Sequence, residues 1–293
     1  MNKGVYEPMK SKISITILVL SIALLAALAA ATGIFSSAGP GNYEYQSIRG
    51  KTVTIYGKGL YQHMSAEVAV QGIGQDYVTL FIAIPLLLMA LFFVRKDSLK
   101  ARLLLSGALG YFLVTYLFYT AMGMYNALFL VYVTLLGLTF FAFTLSMLSF
   151  DVSGLPQLFS KKAPLKFSAW FLIFNSLAIA YLWLDVVVPP LLDGSIYPPN
   201  LEHYTTLIVQ GFDLGLLLPM SFVSGLFLLR GKPSGYLFVP VYMVFLALLM
   251  AALTAKIIAM ALSGVNVFPV VIIIPTINLI AILSAFLLIK HVR

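Results

Sequence analysis

Residues 236–262 read YLFVPVYMVFLALLMAALTAKIIAMAL, twenty-seven positions that carry a single charge, Lys256. As a helix rising 1.5 Å per residue this segment measures about 40 Å, enough to cross a hydrocarbon layer about 30 Å thick. Its apolar residues run continuously rather than alternating, which argues against a barrel strand. In hydrocarbon an unpaired backbone N–H or C=O costs several kcal/mol, so such a block has to satisfy its own backbone as a helix.

Blocks of the same kind recur along the chain. The candidate spans are 12–35, 77–94, 103–122, 127–149, 167–187, 205–229, 236–262 and 268–289, separated by short charged or Pro/Gly-rich stretches. The 293 residues are 61% hydrophobic and 10% charged, against roughly 25% charged in a soluble domain. The reading is an all-α polytopic bundle of about eight spans, one integral membrane domain over 1–293, in a cell (plasma or inner) membrane with the lipid bilayer as its obligatory partner.

The net charge of +8 would suit nucleic acid only on a soluble basic surface, and no segment is long enough to build one. Membrane topology accounts for it. Lys3, Lys10, Lys12, Arg95, Lys96, Lys100, Arg102, Lys161, Lys162, Lys166, Arg230, Lys232, Lys290 and Arg293 all fall on one side of the eight-span scheme, and only Arg49, Lys51 and Lys58 on the other. The positive-inside rule makes the first side cytoplasmic and places both termini there. Trp170 and Trp183, about 20 Å apart on the fifth span, suit the two interfacial aromatic belts. The first span, with its basic start and the small residues of 29–33, could instead be a cleaved signal peptide. Its apolar run is long for one, which favours an uncleaved anchor.

The one sizeable outer loop, 36–76, reads as a cap. Residues 51–57 (KTVTIYG) alternate like a short strand, and residues 61–75 look like an amphipathic helix that Gly72 and Gly74 weaken. The second outer loop, 188–204, holds Pro189, Pro190, Pro198 and Pro199 and is expected to be extended.

Charges inside spans are costly and point to function or to a partner. Asp213 and Lys256 lie at similar depths in the sixth and seventh spans, so they are expected to face inward, within direct or water-mediated reach of each other. Such a pair can simply hold two helices together. It keeps polar company, however: Thr206, Gln210, Asp213, Ser221 and Ser224 fall within about 80° of arc at 100° per residue, and Pro219 on the same span would free carbonyls. Gln75, Asp76 and Asp185 are placed at the mouth of an outward-facing cavity. Tyr125, Tyr132, Thr139 and Ser146 recur every seven residues on the fourth span, and Tyr111, Thr115 and Tyr119 share a face of the third, with Gly107 and Gly110 allowing close helix approach.

His63, Glu67 and His203, with Glu202, could be imagined as metal ligands, but their spacing matches no metal motif, and no metal or cofactor is expected. Cysteine is absent, which excludes disulfides and thiolate chemistry. No nucleophile elbow, P-loop, dinucleotide fingerprint or HExxH occurs, so no catalytic residue is assigned.

The stretches QGIGQDYVTL (71–80), YNALFLVYV (125–133) and FDLGLLLP (212–219) resemble those of small prokaryotic multi-pass membrane proteins to which no activity is assigned. That resemblance implies a location and no site. Three functional classes follow: binding or transport of a small solute or ion, with Asp213, Lys256 and Gln210 in ligand or ion coupling; a sensor, scaffold or assembly factor acting through its outer loop; and a membrane enzyme acting on lipid or a lipid-linked substrate.

Overall fold

The computed structural model describes residues 12–292 and consists of eight apolar helices long enough to cross a membrane, beneath a small outer cap. They are α1 (Lys12–Phe35), α2 (Ala66–Val94), α3 (Leu99–Ala121), α4 (Phe129–Leu148), α5 (Leu165–Val187), α6 (Ile208–Leu229), α7 (Pro233–Leu262) and α8 (Val270–Lys290). The chain is an integral membrane protein of the multi-pass helical class. Lys3, Lys10 and Arg293 of the basic set lie outside the described residues.

α3 and α7 form the centre, and the other six helices surround them. α7 packs on α2, α3, α6 and α8, α4 packs on α3 and α1, and α5 packs on α6. Lipid tails are as apolar as leucine, so these contacts depend on close van der Waals approach and small residues. A Cβ at Gly107 of α3 would overlap Val244 of α7, and one at Gly74 of α2 would lie 2.9 Å from the Ala255 carbonyl of α7. Gly72 similarly lies under the ring of Tyr61, 3.2 Å from a would-be Cβ. The glycines that weaken a helical reading of 61–75 are therefore what lets that segment pack; its helix begins only at Ala66, after a 3₁₀ turn at Gly59–Tyr61, and runs on into the second span as one 29-residue element. Gly110, by contrast, has only ordinary contacts.

Two helices change their winding midway. In α2, Thr79–Ala83 is a π-helical turn, and in α6 Asp213–Leu217 is another. Each is followed, six residues after its first residue, by a proline: Pro85 and Pro219. Proline has no N–H for the i−4 carbonyl and clashes with it, so a wider turn relieves the ladder. Proline alone is not sufficient, because Pro240 and Pro275 stand inside α7 and α8 without such a turn.

The cap opens with an antiparallel hairpin, β1 (Tyr43–Gln46) and β2 (Thr52–Ile55), in which Tyr43 pairs with Ile55 and Gln46 with Thr52. Only the second strand was legible as an alternating run; the first depends on its partner. The second outer loop is less extended than its prolines suggest. Pro189–Leu192 makes one helical turn and Pro199–Leu201 a 3₁₀ turn, proline being well suited to the first position of a turn. The cap is stitched to this loop. Arg49 donates to the carbonyls of Glu202 and Thr205, Lys51 to that of Pro199 at 2.6 Å, and the Ser65 N–H to the Tyr204 hydroxyl.

At the end of the bundle opposite the cap, buried Arg102 of α3 donates to Ser149 beyond α4 and lies over the Phe150 ring, while the Ser106 and Ser146 hydroxyls meet at 2.7 Å.

Candidate functional site

The outer half of the bundle holds a layer of charged and hydroxyl-bearing side chains. Asp76 of α2 is 2% exposed, and removing a carboxylate from water requires compensating hydrogen bonds. The Tyr61 hydroxyl of the cap donates to one carboxylate oxygen at 2.5 Å and the Tyr119 hydroxyl of α3 lies 2.9 Å from the other. Tyr119 also lies 3.3 Å from the Gly72 carbonyl. On the third side is α1, where a Cβ at Gly33 would overlap the Asp76 carboxylate. Burial, and then the Asp76 carboxylate beside it, hold the Tyr61 hydroxyl well above the ordinary tyrosine range.

Below Asp76 the same two helices continue the network. Gln75 donates its amide to Tyr111 at 2.9 Å and to Thr115 at 3.1 Å, and Thr79 meets the Tyr111 hydroxyl at 2.9 Å. The polar stripe of α3 thus faces α2 over about 12 Å, eight residues of helix. The ring of Tyr116 also stacks on Tyr132 of α4 at 6.3 Å, and that of Tyr119 meets it edge-on at 5.3 Å. Tyr132, Thr139 and Ser146 of the seven-residue series are buried, whereas Tyr125 is 78% exposed because it precedes α4.

Lys256 enters this layer from α7. Its backbone lies against Gly74, two residues from Asp76, and its ammonium is within Coulombic reach of both Asp213 and Asp76. The sequence places Asp213 and Lys256 in a pair; the structure adds Asp76 as a second carboxylate within electrostatic reach of Lys256, and no direct salt bridge joins Lys256 to Asp213 among the described residues. Asp213 instead accepts a hydrogen bond of 2.7 Å from the indole of Trp183 on α5. Trp183, legible as an interfacial anchor, is therefore also the hydrogen-bond partner of this half-buried acid.

The remaining candidates separate. Gln75 and Asp76 are buried at 3% and 2% exposure, inside the packed bundle and closed over by the cap rather than at an open mouth. Asp185 is exposed, two residues beyond Trp183. Gln210 is half-buried one turn before Asp213. The polar stripe of α6 does not keep one bearing, because the π turn takes more residues per turn and shifts the register between Asp213 and Ser221; Ser221 bonds the Leu172 carbonyl of α5, and Thr206 precedes the helix. His203 reaches the His63 backbone carbonyl at 3.2 Å, and no three His, Asp or Glu side chains among the described residues gather as metal ligands.

Tyr61 and Gly33 are the site residues that sequence reading missed. Both act through contacts between elements distant along the chain, and neither carries a charge to draw attention. No family model, curated protein or solved structure matches this chain.

Proposed function

We propose that this protein binds a small solute or ion from the outer side of a cell (plasma or inner) membrane and carries it across. The observation that supports this reading is Lys256 on α7 within electrostatic reach of both Asp76 and Asp213, whose two helices each carry a π turn at or just after the carboxylate. With all three groups ionised the layer carries one net negative charge. A cationic solute or a proton would restore neutrality, and Lys256 could then move toward the carboxylate left vacant. π turns occur often at functional sites because they allow local rewinding without loss of the helix, and transporter helices are commonly broken where they bind their cargo.

The test is charge displacement on a solid-supported membrane carrying reconstituted protein, challenged with pH steps, Na⁺, K⁺, amino acids and small organic cations. Wild type is expected to give a saturable current for at least one of these. Asp213→Asn and Lys256→Ala should insert normally and give none. Silence of the wild type across the panel, or unchanged currents in both variants, overturns the reading.

A sensor or scaffold role draws on a different observation: Tyr43 and Tyr45 of the hairpin are exposed, and Ile48 at its tip is 91% exposed. Under that reading, Tyr43→Ser with Tyr45→Ser and Ile48→Ser would abolish function while leaving the helical layer intact, and Asp213→Asn would have little effect.

A further inference from the structure

At the opposite face, Lys12, Ile13, Thr16 and Ile17 of α1 and Arg95 just beyond α2 line a cavity of about 420 Å³. Two features of it point to one occupant. Its polar wall carries two cations, Lys12 at the first residue of α1 and Arg95 just past the last residue of α2, and the ends of spanning helices are where lipid headgroups are met. Its apolar wall, Ile13 and Ile17, begins a stripe that continues up α1 as Leu20, Leu24 and Leu28, with exposures of 77, 60, 51, 72 and 52% in order. At 1.5 Å per residue the part from Ile13 to Leu24 is about 16 Å long, the depth of one leaflet in a hydrocarbon layer about 30 Å thick. The other face of α1 (Ile15, Val19, Ile22, Ala26) is buried against the bundle, so the stripe is the part of the helix left to lipid.

We infer that this cavity is a binding site for one anionic phospholipid, its phosphate held between Lys12 and Arg95 and one acyl chain lying along Ile13, Ile17, Leu20 and Leu24. The site is separate from the outer charged layer and does not depend on the proposed transport. Arg95 is exposed, and its side chain makes no hydrogen bond or ion pair among the described residues. Lys12 forms an ion pair with Asp97 in the turn between α2 and α3, which positions its ammonium at the cavity edge and competes with a lipid for it. The Thr16 hydroxyl donates to the Lys12 carbonyl at 2.7 Å, leaving its oxygen as an acceptor only. Basic pockets at the cytoplasmic ends of spanning helices favour anionic headgroups, each Lys or Arg contributing about 1 kcal/mol near the surface, or roughly fivefold in affinity.

Native mass spectrometry of the delipidated full chain, titrated with phosphatidylglycerol or phosphatidylethanolamine, tests this. Phosphatidylglycerol is expected to be retained in preference, as one molecule per chain. Lys12→Gln and Arg95→Gln should each weaken it about fivefold and the double variant about 25-fold, while Lys161→Gln with Lys162→Gln on another cytoplasmic loop should not. Asp97→Asn removes the competing carboxylate and keeps both cations, so it should hold or raise retention even if the lysine and arginine variants fail to fold. Equal retention of the two lipids, a loss in Asp97→Asn matching that in Lys12→Gln, or displacement of the lipid by millimolar inorganic phosphate would each overturn the assignment.

Discussion

Tyr61 and Asp76 are joined by a 2.5 Å hydrogen bond that runs from the outer cap into the bundle, and it is the link through which the cap closes over the charged layer. Tyr61→Phe keeps the ring over Gly72 and removes only the donor. A hydrogen bond to a charged acceptor contributes about 1.5–3 kcal/mol. The variant should therefore melt at lower temperature in detergent, and the loss should shrink in an Asp76→Ala background.

The same contact gives stability a pH dependence. Because the folded state holds the Tyr61 hydroxyl above its ordinary value, its contribution is fully present below the unfolded tyrosine pKa of about 10 and is lost as pH rises through the folded value. Melting temperature should fall in the alkaline range above roughly pH 10, and fall less in Tyr61→Phe. An identical alkaline decline in the two proteins would show that the cap is held by other means.

Gly33 faces Asp76 with no room for a methyl group. Gly33→Ala forces the carboxylate or α1 to shift, and overpacking of this kind costs about 1–3 kcal/mol. Shortening the acid creates the missing space, so Gly33→Ala with Asp76→Ala should lose less than the sum of the single variants. A coupling above about 0.5 kcal/mol marks contacting residues, and additive losses would place the strain elsewhere.

Trp170 and Trp183 are the two tryptophans, so Trp170→Phe leaves the indole that donates to Asp213 as the sole reporter. In that background Asp213→Ala should shift the Trp183 emission, and Asp185→Ala, which alters an exposed acid two residues away, should not. Equal shifts would mean that the indole responds to general polarity at the outer surface.

Pro219→Ala restores the backbone donor that α6 lacks. A proline in a helix interior costs about 3 kcal/mol, so the variant should be at least as stable as wild type. If the π turn at Asp213–Leu217 serves function, the variant should also lose its solid-supported-membrane currents. Full currents in the more stable variant would reduce the π turn to a packing adjustment.

The sequence by itself determined the architecture, because bilayer thickness and the cost of unpaired backbone groups leave one solution for eight apolar blocks, and basic residues orient it. It also singled out Asp213 and Lys256, since a charge in hydrocarbon is conspicuous in a row of leucines. Only the tertiary structure decided the partners. Asp76 stands among polar neighbours near the cap and looks solvated in sequence, yet Gly33, Tyr61 and Tyr119, from three separate elements, enclose it. Lys256 pairs in sequence with one acid, and the fold brings a second, Asp76, within electrostatic reach of it. Burial is a property of how helices cross, and a crossing depends on contacts between residues whose distance along the chain carries no periodic signal.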